Sequence, residues 1–190
     1  ISGDYGHLTS SDGGNTLWSV YPGFALIYTS AIGQYKQLSW KFKEGSWMWM
    51  PHIIAVPDSP DMAYIAAGGD NGSYLWRLKI ETNGINDQKL GFDFNSASEG
   101  GRLATIGIST FNTAYMYGLT NNGRFFYSTD EGESWATNKD FAAPGSHYFY
   151  GGCIVPSNKQ LGRLFIAGSG YNSHSVYVSD DHGKTFFPAD

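Results

Sequence analysis

Runs of about five to ten apolar and β-branched residues recur over 24–30, 37–42, 52–57, 62–68, 74–81, 102–109, 114–120, 124–129, 147–156, 163–168 and 175–179. Each has the length and composition of a strand. Between them stand Asp12-Gly13-Gly14, the glycine-rich stretch 68–72, Asn83-Gly84, Asn121-Asn122-Gly123 and Asp181-His182-Gly183, which supply the positive-φ positions that tight reversals need. The pattern predicts an antiparallel meander. No window of eleven residues keeps a 3.6-residue period without glycine, so no long helix is expected, and strand-helix-strand phosphate folds are disfavoured.

Aligning the turns instead of the strands exposes an internal repeat. Ser128-x-Asp130-x-Gly132-x-Ser134-Trp135 matches Ser179-x-Asp181-x-Gly183-x-Thr185-Phe186 position for position, and an aromatic strand precedes each. A third copy keeps Ser10, Asp12, Gly14 and Thr16, followed by Leu17 and Trp18. A fourth, degraded copy keeps Asp70, Gly72 and a late Trp76. The four aspartates recur at intervals of about 50 to 60 residues, which suits one four-stranded unit per repeat.

These segments resemble the Asp-box, or BNR, repeat of β-propellers found in sialidases, sortilin-type receptors, xyloglucanases and some photosystem assembly factors. The resemblance implies an all-β propeller of four-stranded antiparallel blades, each Asp clipping the turn between the third and fourth strands of a blade. It implies a single region over 1–190, with a partial blade at 1–20 and blades at about 21–50, 51–98, 99–142 and 143–190. At the repeat length of about 50 to 60 residues the chain supplies about three and a half to four blades, fewer than most rings contain, so a fragment, or a ring completed by another chain or segment, is expected. The absence of an initiator Met and of a leader before Ile1 gives the same expectation of a processed or excised chain. By the resemblance, the location is extracellular, cell-surface or periplasmic.

Composition narrows the partners. Of 190 residues, 25 are Gly, 13 Tyr, 12 Phe and 6 Trp, which excludes disorder, coiled coil and collagen. The net charge of −5 and the lack of a Lys/Arg run leave no phosphate-neutralising face, so nucleic acid is not an expected partner. No apolar stretch approaches the length of a membrane helix, and no membrane insertion is expected. The single Cys153 cannot form an internal disulfide. The five histidines fall at no ligand spacing, so neither metal nor cofactor is expected.

Two functions remain. A binding module would present loops, and flat rings such as Trp40, Trp47, Trp49 and Trp76, to a glycan or protein; blade cores need such rings too. Part of a glycoside hydrolase, exo-sialidase-like or xyloglucanase-like, would need converging groups, with further catalytic residues outside this chain. The candidates are Arg102, Arg124 and Arg163 for a substrate carboxylate, and Asp93, the one carboxylate flanked by aromatics on both sides. Convergence of these residues would favour the enzyme, and dispersal the binding module.

Overall fold

A computed structural model describes residues 7–21, 24–31, 34–41, 52–66, 74–144, 152–169 and 174–190. The strands are β1 (His7–Thr9), β2 (Thr16–Tyr21), β3 (Phe24–Ala31), β4 (Gln34–Lys41), β5 (Ile53–Val56), β6 (Ser59–Ala66), β7 (Leu75–Glu81) and β8 (Gly84–Lys89). A single-turn helix, α1 (Phe94–Ala97), follows. Then come β9 (Leu103–Ile108), β10 (Met116–Thr120), β11 (Arg124–Ser128), β12 (Ala136–Ala142), β13 (Cys153–Pro156), β14 (Leu164–Ala167), β15 (Val176–Ser179) and β16 (Phe187–Pro188). They pair only with sequence neighbours, as four sheets ordered β1–β4, β5–β8, β9–β12 and β13–β16, all antiparallel. Short reversals make sequential pairing the low-entropy choice. The chain forms two compact units, Ile1–Leu90 and Gly91–Asp190, with two sheets each.

In the first unit the two sheets enclose Trp18, Val20, Trp40, Ile53, Ala55, Ala63, Ile65, Trp76 and Leu78. Trp18 is fully buried, and its indole N–H donates to the Pro60 carbonyl at 2.9 Å, so the ring is dry without an orphaned donor. Trp40 and Trp76 lie ring against ring, with centroids 5.7 Å apart and 5% of each residue exposed. The expectation that these two meet a ligand is therefore corrected: their rings are core. Trp47 and Trp49 lie outside the described residues.

One further expectation changes. A break between residues 20 and 21 is not observed, because Thr16–Tyr21 pairs with Phe24–Ala31 over its whole length inside one sheet. Trp76 of the degraded repeat lies in β7, the third strand, and β7 turns into β8 at Thr82 and Asn83. Asp70 and Gly72 lie outside the described residues.

In the third sheet burial falls from the first strands to the last. Every residue of β9 and β10 is buried, whereas β12 exposes Ala136, Lys139 and Asp140, as an edge strand that resists further pairing should. Tyr117, Leu119, Phe125 and Phe141 of the third sheet pack against Ile154, Leu164 and Ile166 of the fourth. Closure between the two comes from the turn after β15. Phe186 stacks on Phe141 with centroids 3.9 Å apart and meets Phe125 edge-on at 5.0 Å, while the Asn138 amide donates to the Gly183 and Lys184 carbonyls.

Gly183 lies at the tightest point. Its φ is +84°, and a Cβ there would fall 2.2 Å from the Phe125 ring. Gly13, at the corresponding turn of the first sheet, has φ +71° with nothing within 4 Å of that position. Gly183→Ala should therefore cost about 2–4 kcal/mol, left-handed strain plus overpacking, and Gly13→Ala about 1 kcal/mol, strain alone. Urea unfolding of both variants checks this, and equal midpoints would contradict it.

Candidate functional site

Three turns share one hydrogen-bond geometry. In residues 128–134, Ser128 Oγ donates to Asp130 Oδ1 at 2.7 Å and accepts from the Gly132 N–H at 2.9 Å; Asp130 accepts from the Ser134 N–H at 2.9 Å and from Ser134 Oγ at 2.5 Å. Residues 179–185 repeat this with Ser179, Asp181, Gly183 and Thr185 at 2.8, 2.8, 2.9 and 2.6 Å. Residues 10–16 do so through Ser10, Asp12, Gly14 and Thr16. Two successive left-handed residues make each reversal: Gly13 and Gly14, Glu131 and Gly132, His182 and Gly183. The serine takes the glycine amide, and the aspartate takes the amide two positions beyond that glycine. Two of the turns join third to fourth strand, whereas residues 10–16 join β1 to β2.

The last residue of the motif packs differently in its two full copies. Trp135 donates to the Gly132 carbonyl at 2.9 Å and lies 5.1 Å from Phe94, which also meets Phe92 and Phe126 edge-on. Phe186 reaches across to the neighbouring sheet, as described above.

The turn end of the second unit also carries the two first-to-second-strand loops. Ser109 and Asn112 brace one of them, accepting from the Phe111 and Ala114 amides at 3.2 and 3.0 Å. Ser157 Oγ braces the other by accepting from the Lys159 and Gln160 amides. Their strands are neighbours, since Gly107 of β9 abuts Ile154 and Pro156 of β13. Each braced loop holds one large apolar side chain out to solvent: Phe111, 49% exposed, and Leu161, 50% exposed.

His182 ties the loops together. Its N–H donates to the Gly162 carbonyl at 2.9 Å, its ring stacks on Tyr115 at 4.4 Å, and Nδ1 lies 2.9 Å from the Tyr117 hydroxyl. Burial holds the imidazole below its ordinary value; Lys184 adds to this and Asp181 opposes it. Burial, with Tyr115 adding, pushes the Tyr117 phenol up to about 12. At neutral pH the phenol is thus the donor and a neutral Nδ1 the acceptor, which places the imidazole proton on Nε2. A phenol so far from ionisation is a poor nucleophile. In the sequence His182 is weighed only as a metal ligand; the missed signal is an imidazole at a variable position inside a rigid turn, facing Tyr115 just before β10 and Tyr117 within it.

Of the proposed catalytic groups, Arg163 stands at the opposite end of the second unit from Arg102 and Arg124. Asp93 caps α1, accepting from the Asn95 and Ser96 amides at 3.0 and 3.1 Å and from Ser96 Oγ. Arg124 lies 3.5 Å from Glu99, and Arg102 and Arg124 both stand at the end of the third sheet opposite its Ser-Asp turn. Arg163 is beside the Ser-Asp turn of the fourth sheet, where Asp180 takes its Nε at 2.5 Å and a second nitrogen at 3.1 Å. That bidentate hold by Asp180 occupies the fork a substrate carboxylate would need. The first unit contains a cleft of about 220 Å³ lined by Met62, Arg77, Lys79, Asn86, Asp87 and Gln88, smaller than the clefts that commonly take a small-molecule ligand.

No protein-family model and no curated protein sequence matches the chain. Solved structures do. A GH74 enzyme of Niastella koreensis superposes on 96% of this chain and 29% of its own, with a TM-score of 0.66 and 16% identity. YCF48 of Cyanidioschyzon merolae gives 93% and 50%, TM-score 0.61 and 12% identity. YCF48 bound to D1 peptide gives 92% and 50%, TM-score 0.63 and 13% identity. The likeness establishes the fold: the four sheets are β-propeller blades. The chain spans between 29% and half of these proteins' lengths.

Two tests follow from the titrating groups. Asp130 is held below the usual carboxylate range, chiefly by Ser134; at Asp181 burial opposes the charge, and the bonds from Thr185 and Ser179 together outweigh it. A depressed carboxylate stabilises fully above its unfolded value and loses that contribution as pH falls through the folded value. Asp130→Ala and Asp181→Ala should each cost about 1 kcal/mol at pH 7 and progressively less as the pH falls below the ordinary carboxylate value, read by urea unfolding across that range; a pH-independent cost would contradict this. The ring protons of His182 should titrate by NMR with a midpoint below the ordinary value of about 6.5, and a midpoint above it would refute the stacked, neutral imidazole.

Proposed function

We propose that the chain is part of a propeller-type binding module that takes a protein or peptide ligand on the turn end of its second unit, and that its Ser-Asp turns are Asp-box repeats. The observation that carries this is the paired display of Phe111 and Leu161 on braced neighbouring loops tied together by His182. Pre-ordered loops lose little entropy on binding, and exposed apolar side chains held in place are what a ligand's own apolar anchors bury. Separation of Arg163 from Arg102 and Arg124 supports recognition over catalysis, as does a Tyr117 hydroxyl spent on His182. The structure of YCF48 bound to D1 peptide is consistent with a peptide ligand.

The likeness to a GH74 enzyme supports a second reading, part of a glycoside hydrolase whose catalytic residues lie on other blades. In that case the same loops would line a glycan cleft. Either reading accords with an extracellular, cell-surface or periplasmic location.

Probing the chain against peptide and glycan arrays, in parallel with xyloglucan and sialoside hydrolysis assays, separates the two. The expected result is peptide binding that weakens at least about tenfold in a Phe111→Ser/Leu161→Ser variant and is unchanged in Arg102→Ala or Asp93→Asn, with no sugar release. Sugar release above buffer, abolished by Asp93→Asn or Arg163→Ala, would overturn the binding reading.

A further inference from the structure

Two hairpin turns carry the same dipeptide at the same place. Glu81 and Gly84 face each other as the last pair of β7 and β8, with Thr82 and Asn83 between them. Thr120 and Gly123 close the turn between β10 and β11 around Asn121 and Asn122, and the Gly123 N–H donates to the Thr120 carbonyl at 2.9 Å. Each turn therefore ends in Asn-Gly with the glycine at positive φ, +151° at Gly84 and +85° at Gly123. Both asparagines are exposed. They differ in what holds the side chain.

Asn122 is tied at both atoms of its amide. Nδ2 donates to the Ser98 carbonyl at 2.6 Å, and Oδ1 accepts from Thr120 Oγ1 at 2.6 Å. The backbone around it is pinned as well, since the Arg102 amide donates to Asn121 Oδ1 at 2.8 Å and the Ala143 amide to the Gly123 carbonyl at 2.9 Å. Asp12-Gly13, the chemically related pair of the 10–16 turn, has its carboxylate held by Ser10 and Thr16. Asn83 has no such hold: among the described residues no hydrogen bond reaches its side-chain amide. Gly84 has nothing within 4 Å of the position a Cβ would take, so the amide carbon of Asn83 can swing onto the Gly84 nitrogen unobstructed. Asn71-Gly72 lies outside the described residues.

We infer that Asn83-Gly84 is a site of spontaneous deamidation and isoaspartate formation, from which Asn122-Gly123 is protected by its hydrogen bonds. The Gly84 backbone nitrogen gives its proton to base and attacks Asn83 Cγ. The new C–N bond closes a five-membered succinimide ring, and the side-chain nitrogen leaves as ammonia. Water then opens the ring. Hydrolysis at the side-chain carbonyl leaves an ordinary aspartyl residue, whereas hydrolysis at the main-chain carbonyl leaves an isoaspartyl link that runs through the side-chain carbon. One water enters and one ammonia leaves, with no change of oxidation state.

The isoaspartyl product has a consequence for the sheet. It adds one atom to the main chain between β7 and β8, and β8 is an edge strand that pairs only with β7. The present register lets Arg77 donate to Gln88 Oε1 at 2.8 Å and Asn86 donate to Glu81 Oε1 at 3.2 Å. A shifted register separates those partners, and Arg77, Asn86 and Gln88 are walls of the cleft in the first unit. Conversion therefore loosens β8 and opens that cleft, whatever the loops of the second unit bind.

Incubating the whole chain at mildly alkaline pH and mapping its peptides by mass spectrometry tests this site by site. Conversion at Asn83 should run at least about tenfold faster than at Asn122, where two hydrogen bonds must open first. Both products should appear at Asn83, told apart by Asp-N protease, which cuts before the aspartyl form and not before the isoaspartyl one. In guanidinium chloride that unfolds the chain, the two sites should convert at similar rates, because the protection is structural. In the converted chain the β8 amides should exchange with solvent faster than before. Equal rates at the two sites in the folded chain, a difference that survives in denaturant, or an Asn83 that converts only when the chain is unfolded would overturn the inference. Exchange of the β8 amides at the same rate before and after conversion would overturn its consequence for the strand.

Discussion

Much of the second unit depends on one contact, the seating of Gly183 on the ring of Phe125. An antiparallel sheet satisfies its own backbone but cannot bury its own faces, so each blade needs a neighbour held at a fixed distance. The Ser-Asp turn fixes that distance. Ser179 and Asp181 hold the backbone in two consecutive left-handed residues, which brings the bare Cα of Gly183 against an aromatic face and aims Phe186 at Phe141. A side chain at Gly183 would push the sheets apart at the point where their core is narrowest.

The same turn positions the candidate site. Because residue 182 must adopt a left-handed conformation, its side chain projects sideways toward the adjoining loops, and a histidine there can stack on Tyr115, accept from Tyr117 and leave its amide for Gly162. His is among the residue types that tolerate this conformation best without being glycine. A structural clip thereby becomes a brace for the two loops that display Phe111 and Leu161. Rigidity of the fold and pre-organisation of the surface have one physical origin.

What the sequence reveals follows from where the information is local. The inner strands were legible because their apolar runs are buried on both faces, as in Leu103–Ile108 and Met116–Thr120. Edge strands such as Gly84–Lys89 and Ala136–Ala142 were not, because they are polar and owe their conformation to pairing with β7 and β11. The turns were legible from their Ser, Asp and Gly spacing, since each is closed within a few residues. The stacking of Tyr115 on His182 joins residues far apart in sequence, and no local pattern encodes it. Tryptophans were ambiguous for the same reason: a flat ring suits core and ligand alike, and only the packing of Trp40 on Trp76 resolves that.

The 179–186 turn is part of the cooperative core and not a mobile surface loop. Native-state hydrogen exchange measures this directly. The amides of Gly183 and Thr185 should exchange with the same opening free energy as those of β10 and β11, through global unfolding. Exchange of the turn amides by small local fluctuations, while β10 and β11 remain protected, would contradict the claim that this turn holds the two sheets together.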